Sequence, residues 1–305
     1  MQIKVENGGE RLDIFLTKHF EGSHSRSQIT NSIKSGKTTV NGKVVKGGTV
    51  LCVGDVVDVD ISVEDIVATP EDIKIDIVYQ DDHLIIINKQ RGMVVHPGAG
   101  NRSGTLLNAL MHLQKSESNL DRAGIVHRLD KNTAGLMVVA KSAVVQASLA
   151  KAFERHEVKR TYIGLVEGKM PSDSGTISAN ITRDPNRRTL FKTVSTGGRR
   201  AVTHYKVLQV FEAIGRIAKY SLVQFNLETG RTHQIRVHAK HLSCPLVGDH
   251  EYNPKSSIKV DGQLLESVEI EFTHPITGKT ISHKIELTKQ FSDILNMLDK
   301  KIELT

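Results

Sequence analysis

At 305 residues, 38% hydrophobic and 25% charged, the chain is long enough for one large buried core and a smaller companion, and ordinary enough to read as globular. Two cysteines far apart, Cys52 and Cys244, disfavour a disulfide framework or a thiolate metal cage, and no apolar run approaches the roughly 18 residues that span a bilayer. A formal charge of +7 favours an anionic partner without naming one.

The opening "MQIKVENGGERLDIFL" has an acidic residue where a secretory signal would be basic, and no small-residue cleavage site follows. With the cysteine usage this predicts a cytoplasmic protein. Charge is segregated along the chain. Residues 10–50 carry seven Lys or Arg against three acids, and residues 54–82 carry ten acids and one Lys.

In chain order, "ERLDIFLTKHF" places apolar residues at helical spacing, and "SRSQITNSIKSG" runs from cap-type serines to Gly36 as a second short helix. "TTVNGKVV" is a hairpin signal, because Asn-Gly accepts the positive φ angles of a type I′ turn. "TVLCVGDVVDVDI" alternates as a strand, with Gly54-Asp55 as a further turn. Arg11, Arg26, Lys34, Lys37, Lys43 and Lys46 gather in these helices and the turn, where they can meet phosphates. This stretch, about residues 10–61, resembles the small RNA-binding module named after a protein of the small ribosomal subunit, the S-four domain. The expected division is a module at 1–62, a linker at 63–73 and a body at 74–305.

The body begins with "DIKIDIVYQDDHLIIINKQRGMVVHP", two strands around an Asp-Asp turn followed by a Gly-containing bend. "SGTLLNALMHLQK" and "SAVVQASLAKAFERHEV" are amphipathic, and "THQIRVHAKHL" is compatible with a helix. Strand-like runs fall at 160–166, 201–211, 217–227, 268–272 and 280–287. Many strands and few helices predict α+β: a small αα-β domain, then a large mixed, mainly antiparallel sheet with flanking helices. Neither G-x-G-x-x-G after a strand nor a Walker-type loop occurs, so a nucleotide cofactor has no obvious seat.

Three stretches carry candidate chemistry. In "GIVHRLDKNTAGLMVVAKS", residues 124–142, two apolar runs read as strands and His127 to Thr133 as their connection. Asp130 there is either a turn residue or a carboxylate at the floor of a cleft, able to serve as nucleophile, general base or metal ligand. "ETGRTHQIRVHAKHLSCPLVGDHEY", residues 228–252, is either a basic surface helix or a site helix entered and left by sharp turns. Its His233, His238, His241 and Asp249 lack the H-E-x-x-H spacing or a cysteine pair, so a metal site is disfavoured. In "VKRTYIGLVEGK", Tyr162 alternates with Arg160 and faces either a cleft or the core.

Together these stretches resemble the RluA/RluD-type family of pseudouridine synthases. "HRLDKNTAGLMVVAK" matches its aspartate motif, "KRTY" its tyrosine motif and "TGRTHQIRVH…PLVGDHEY" its third motif. Ala134 stands where Ser or Thr is usual, and Ser243 and Asn253 where Gly is frequent. The resemblance implies that Asp130 is the catalytic carboxylate, Tyr162 the aromatic of the base pocket and Arg236 the ionic partner of Asp130. It further implies RNA contacts at His127, Arg128 and Arg231, with Arg11, Arg26, Lys34, Lys37 and Lys43 serving the N-terminal module, and a basic stretch at 183–200 widening the footprint. The reaction implied breaks a glycosidic bond and joins the same base through carbon, on a uridine flipped out of folded RNA. Attack on the anomeric carbon and a route through a glycal both remain open. No cofactor and no metal are implied. The expected partner is large-subunit ribosomal RNA or its precursor particle, with transfer RNA as the alternative, and a monomer, since every proposed group lies in one chain. The rivals are a non-catalytic RNA-binding or ribosome-assembly factor and a glycosylase that releases uracil.

Overall fold

The computed structural model describes residues 1–302 apart from 22, 25, 62–67, 99, 115–119, 188 and 215–216, so part of the expected linker lies outside the described residues. The chain divides into two units, Met1–Val67 and Ala68–Thr305.

In the first unit β1 (Gln2–Lys4) precedes the two expected helices, α1 (Leu12–His19) and α2 (Arg26–Lys34). Then come β2 (Thr38–Val40), β3 (Lys43–Val44) and β4 (Val56–Val59), in an antiparallel sheet ordered β1-β4-β2-β3. Leu12 and Leu16 of α1 and Ile29 and Ile33 of α2 share one apolar core with Val40, Leu51 and Val57. Asn41 and Gly42 take φ of 50° and 73°, which is the type I′ geometry their sequence calls for. The strand expected over 49–53 is absent. Val50 forms an isolated bridge to Arg11 and Leu51 exchanges backbone bonds with Gly9 and Glu10, after which a turn intervenes: Asp55 accepts from the Cys52 N–H, and Cys52 accepts from the Asp55 N–H.

The second unit is built on a nine-stranded sheet. Its chain order is β5 (Asp76–Gln80), β6 (Leu84–Lys89), α3 (Leu106–Leu113), β7 (Ala134–Ala140), α4 (Ala143–Glu154), β8 (Lys159–Glu167) and β9 (Ser174–Ser178). A separate hairpin follows, β10 (Asn180–Arg183) and β11 (Phe191–Val194). The chain closes with β12 (Val202–Ile214), β13 (Ile217–Leu227), α5 (Gln234–His241), β14 (Leu265–Thr273), β15 (Thr280–Lys284) and α6 (Lys289–Ile302). The sheet order is β5-β6-β7-β14-β8-β13-β12-β9 with β15 on β14, and every pairing is antiparallel except β7 with β14.

The apolar runs of β6 and β7 are continuous because both faces of these strands are covered. Ile85, Ile87, Met137 and Val139 pack with α3 and α5 residues, while Leu84, Ile86, Leu136 and Val138 pack with Val145 and Leu149 of α4. Local chemistry starts the helices. Thr105 and Asn108 form a reciprocal capping box on α3, and Ser142 accepts from the Val145 N–H on α4. "GIV" differs from expectation, since only Ile125 bridges the sheet, at Val139. No described helix is long and apolar enough to cross a membrane.

Candidate active site

The loop from His127 to Thr133 is held on three sides before the chain enters β7. Leu129 turns into the apolar core, the Thr133 N–H closes a turn onto the Asp130 carbonyl at 3.1 Å, and the Lys131 carbonyl accepts from the Gly92 N–H at 2.9 Å. Lys89, only 1% exposed at the end of β6, donates to the carbonyls of Gln90 (3.0 Å), Met93 (3.0 Å) and Lys131 (3.2 Å), so one ammonium ties two loops together. Burial pulls its pKa down to about 7, with the charge of Asp130 opposing and that of Arg91 adding. Gly135 follows at φ +116°, where a Cβ would lie 2.2 Å from the Ser267 carbonyl oxygen. Only glycine lets β7 approach β14 this closely.

Asp130 is thereby set in the wall of a cavity of about 460 Å³, within the range that encloses a small ligand. Its side chain is 17% exposed. Arg236 of α5 donates from Nη1 to Asp130 Oδ2 at 3.3 Å, and His233 Nε2 stands 3.9 Å from Oδ1. Tyr162 on β8 lies between Phe225 of β13 and Ser267 of β14 and lines the same cavity with Leu265. Burial raises its pKa, with the charge of Arg160 opposing and that of Asp130 adding. The structure thus brings Asp130, Tyr162 and Arg236 to one place.

Two acids that hold Arg236 were not assigned that task from sequence. The guanidinium donates from Nε to Asp249 Oδ2 at 2.7 Å, and from Nη2 to Asp249 Oδ1 at 2.8 Å and Glu251 Oε2 at 2.5 Å. Burial works against its charge, but Asp249, Asp130 and Glu251 overcome it and raise the pKa above the ordinary arginine value. Asp249, considered above only as a metal ligand, is instead the bidentate partner of a buried cation. Two acids two and four positions after a Pro-Leu-Val run, with an arginine 13 residues before the first, were the available signal.

His233 enters α5 in the left-handed region, φ 55° and ψ 21°, which is costly for a residue with a Cβ. The Phe191 N–H of β11 donates to the Tyr252 oxygen at 2.8 Å, and that hydroxyl lies 2.9 Å from His233 Nδ1. With Nδ1 accepting from the phenol, the neutral ring carries its proton on Nε2, facing Asp130. Burial lowers the His233 pKa, opposed by Asp130.

Of the expected RNA contacts, Arg128 is exposed and Arg231 half-buried, and both line the cavity with Arg160, Arg199 and Arg236. His127 also lines it but differs from the expected RNA-facing group. Its Nε2 accepts from the Val138 N–H at 3.0 Å, and its ring stacks on Phe153 at 4.5 Å. Burial, with the charge of Arg160, pulls its pKa down to about 3, so the ring is neutral. In the first unit Arg26, Lys34, Lys37 and Lys43 are exposed, whereas Arg11 donates to both carboxylate oxygens of Asp13, at 3.0 and 2.8 Å. Among the described residues no group of three or more His, Cys, Asp or Glu is arranged to hold a metal ion.

A carboxylate, a buried arginine and an aromatic ring around one cavity are drawn from motifs spread over more than a hundred residues. The sequence profile described as RNA pseudouridylate synthase matches residues 83–241, just over half of the chain, and the S4 domain profile matches residues 10–57. This chain belongs to the RNA pseudouridylate synthase family. It is an isomerase of the RluA/RluD type with an N-terminal S4 domain. It is 41% identical over 98% of its length to the "Ribosomal large subunit pseudouridine synthase D" of Neisseria meningitidis, covering 81% of that protein. It is 40% identical to the "Uncharacterized RNA pseudouridine synthase YlyB" of Bacillus subtilis, covering 97% of this chain and 96% of the other. Among solved structures, "Human RNA Pseudouridylate Synthase Domain Containing 4" superposes with a TM-score of 0.57 at 23% identity over 73% of this chain and 93% of its own, a likeness of fold.

Proposed function

We propose that this pseudouridine synthase isomerises uridines of large-subunit ribosomal RNA, with Asp130 acting directly on a nucleotide flipped into the cavity. The observation that carries the reading is the Asp130 carboxylate on the cavity wall, gripped by Arg236 and beside Tyr162. Relatives near 40% identity over almost the whole chain are named for the large ribosomal subunit, which supports the choice of RNA. The C1′–N1 bond of the uridine breaks and a C1′–C5 bond forms. The proton on C5 leaves and N1 gains one, so no atom is lost and no redox partner is needed. The carboxylate serves either by attacking C1′ or by taking a ribose proton toward a glycal, and either role needs it ionised. Tyr162 offers its ring face to the uracil, which has to be retained and turned, with Leu129 and Leu265 as apolar wall beside it. Removing the base from its stack costs on the order of a few kcal/mol, which contacts between RNA and the arginines around the cavity offset. The enzyme works as a cytoplasmic monomer in this reading, with Arg26, Lys34, Lys37 and Lys43 of the S4 domain meeting phosphates.

Asp130→Asn tests the assignment. Arg236 keeps Asp249 and Glu251 in this variant, so the fold and RNA affinity persist while isomerisation falls below detection. Retained turnover would remove Asp130 from its role. Carbodiimide mapping of total RNA from cells with and without the protein identifies the target, and signals confined to transfer RNA would overturn the ribosomal assignment.

A further inference from the structure

Two arginines are buried in the wall of this cavity, and they are balanced in opposite ways. Arg236 is 5% exposed and has three carboxylates around it. Arg160, on β8 two residues before Tyr162, is 7% exposed, and among the described residues it forms no ion pair. Its Nε has no hydrogen-bond partner, and its Cζ stands 5.2 Å from the Phe153 ring centroid. Glu154, the other acid of the cavity wall, is exposed and not paired with it. An ionised group taken out of water needs a counter-charge, and the described residues supply none here. The backbone is shaped around the guanidinium as well, since a Cβ on Gly230 would lie 3.0 Å from Arg160 Nη1.

We propose that Arg160 is a phosphodiester subsite, its guanidinium taking the RNA phosphate adjacent to the nucleotide that enters the cavity. The planar fork matches two phosphate oxygens, and the neutral His127 ring stacked on Phe153 adds no charge beside it. The subsite rests on the reading that RNA is the substrate, and it adds the contact that fixes how far the strand enters. Among the described residues that buried charge has no counter-ion, and the RNA phosphate supplies one.

The salt dependence of binding to a short oligouridylate, measured with the full chain, decides the matter. Each phosphate neutralised on a single strand contributes about 0.7 to the slope of log affinity against log salt. Arg160→Gln is expected to weaken binding roughly tenfold and flatten the slope by about 0.7, while Arg160→Lys weakens binding and keeps the slope. An unchanged slope in Arg160→Gln, with or without a lower turnover, would make Arg160 a positioning residue for Tyr162 and overturn the subsite. Should the Gln variant not fold, Arg160→Lys and replacement of single linkages by neutral methylphosphonates decide instead. One linkage is then expected to lose wild-type affinity and to lose less with Lys, and equal losses at every linkage in both proteins also overturn it. Wild-type turnover on ribosomal RNA is read separately, so its absence would count against the function and not against the anion site.

Discussion

Lys89 shows how much of the site depends on a residue with no reactive part in the chemistry. In sequence it is an ordinary polar end to an apolar strand, since its three acceptors include a carbonyl 42 residues away that no local pattern announces. Arg160 was equally opaque, because alternation with Tyr162 gives two possible faces and does not choose between them. Asp130, Tyr162 and Arg236 were legible because their motifs are long and occur in order. The His127 contact was not legible, since its Nε2 accepts from the Val138 N–H of the following strand. Lys89 carries a pH signature. The unfolded chain keeps the lysine proton up to its ordinary 10.5, while the folded chain releases it near 7. Unfolding therefore takes up a proton between those values, and stability rises with pH there by at most about 1.4 kcal/mol per unit. Below 7 both states are protonated and the penalty of burying the charge is present in full. Denaturant unfolding at pH 7 and pH 9 is expected to show this gain in the wild type and not in Lys89→Met. Parallel behaviour of the two proteins would show that the lysine is not shifted.

At the scale of elements, the β10–β11 hairpin is joined to α5 through a few side chains. Ile181, Leu190 and Phe191 pack with Val237 and Tyr252, and Arg183 lies over the Phe191 ring at 5.4 Å. The hairpin was read from sequence only as a basic stretch, because its strands are short and pair outside the main sheet. Tyr252 is the joint, since its oxygen serves both the hairpin amide and His233. Tyr252→Phe keeps the ring but leaves the Phe191 N–H and His233 Nδ1 without their partner, and is expected to cost about 2 kcal/mol of stability. Amide exchange at Phe191 should quicken by more than exchange in β7 or β8. Uniform protection across all three elements would mean that the hydroxyl does not hold the hairpin.

For the whole molecule, the residues around the cavity, from Val126 to Leu265, all lie within Ala68–Thr305. Deleting residues 1–62 is expected to weaken RNA binding severalfold more than it lowers the single-turnover rate on saturating substrate. Equal affinity with and without the S4 domain would remove its share in recognition. The fold class and most strands were legible because patterning is local, but the neighbours in the sheet were not. The strand following Asp130 is flanked by one begun some 50 residues earlier and one begun some 130 residues later. That order has a consequence for biosynthesis. The chain emerging from a ribosome carries its aspartate for on the order of ten seconds before β14 exists to sit between β7 and β8, at ordinary elongation rates. Throughout that interval the nascent chain carries its aspartate with no finished pocket around it.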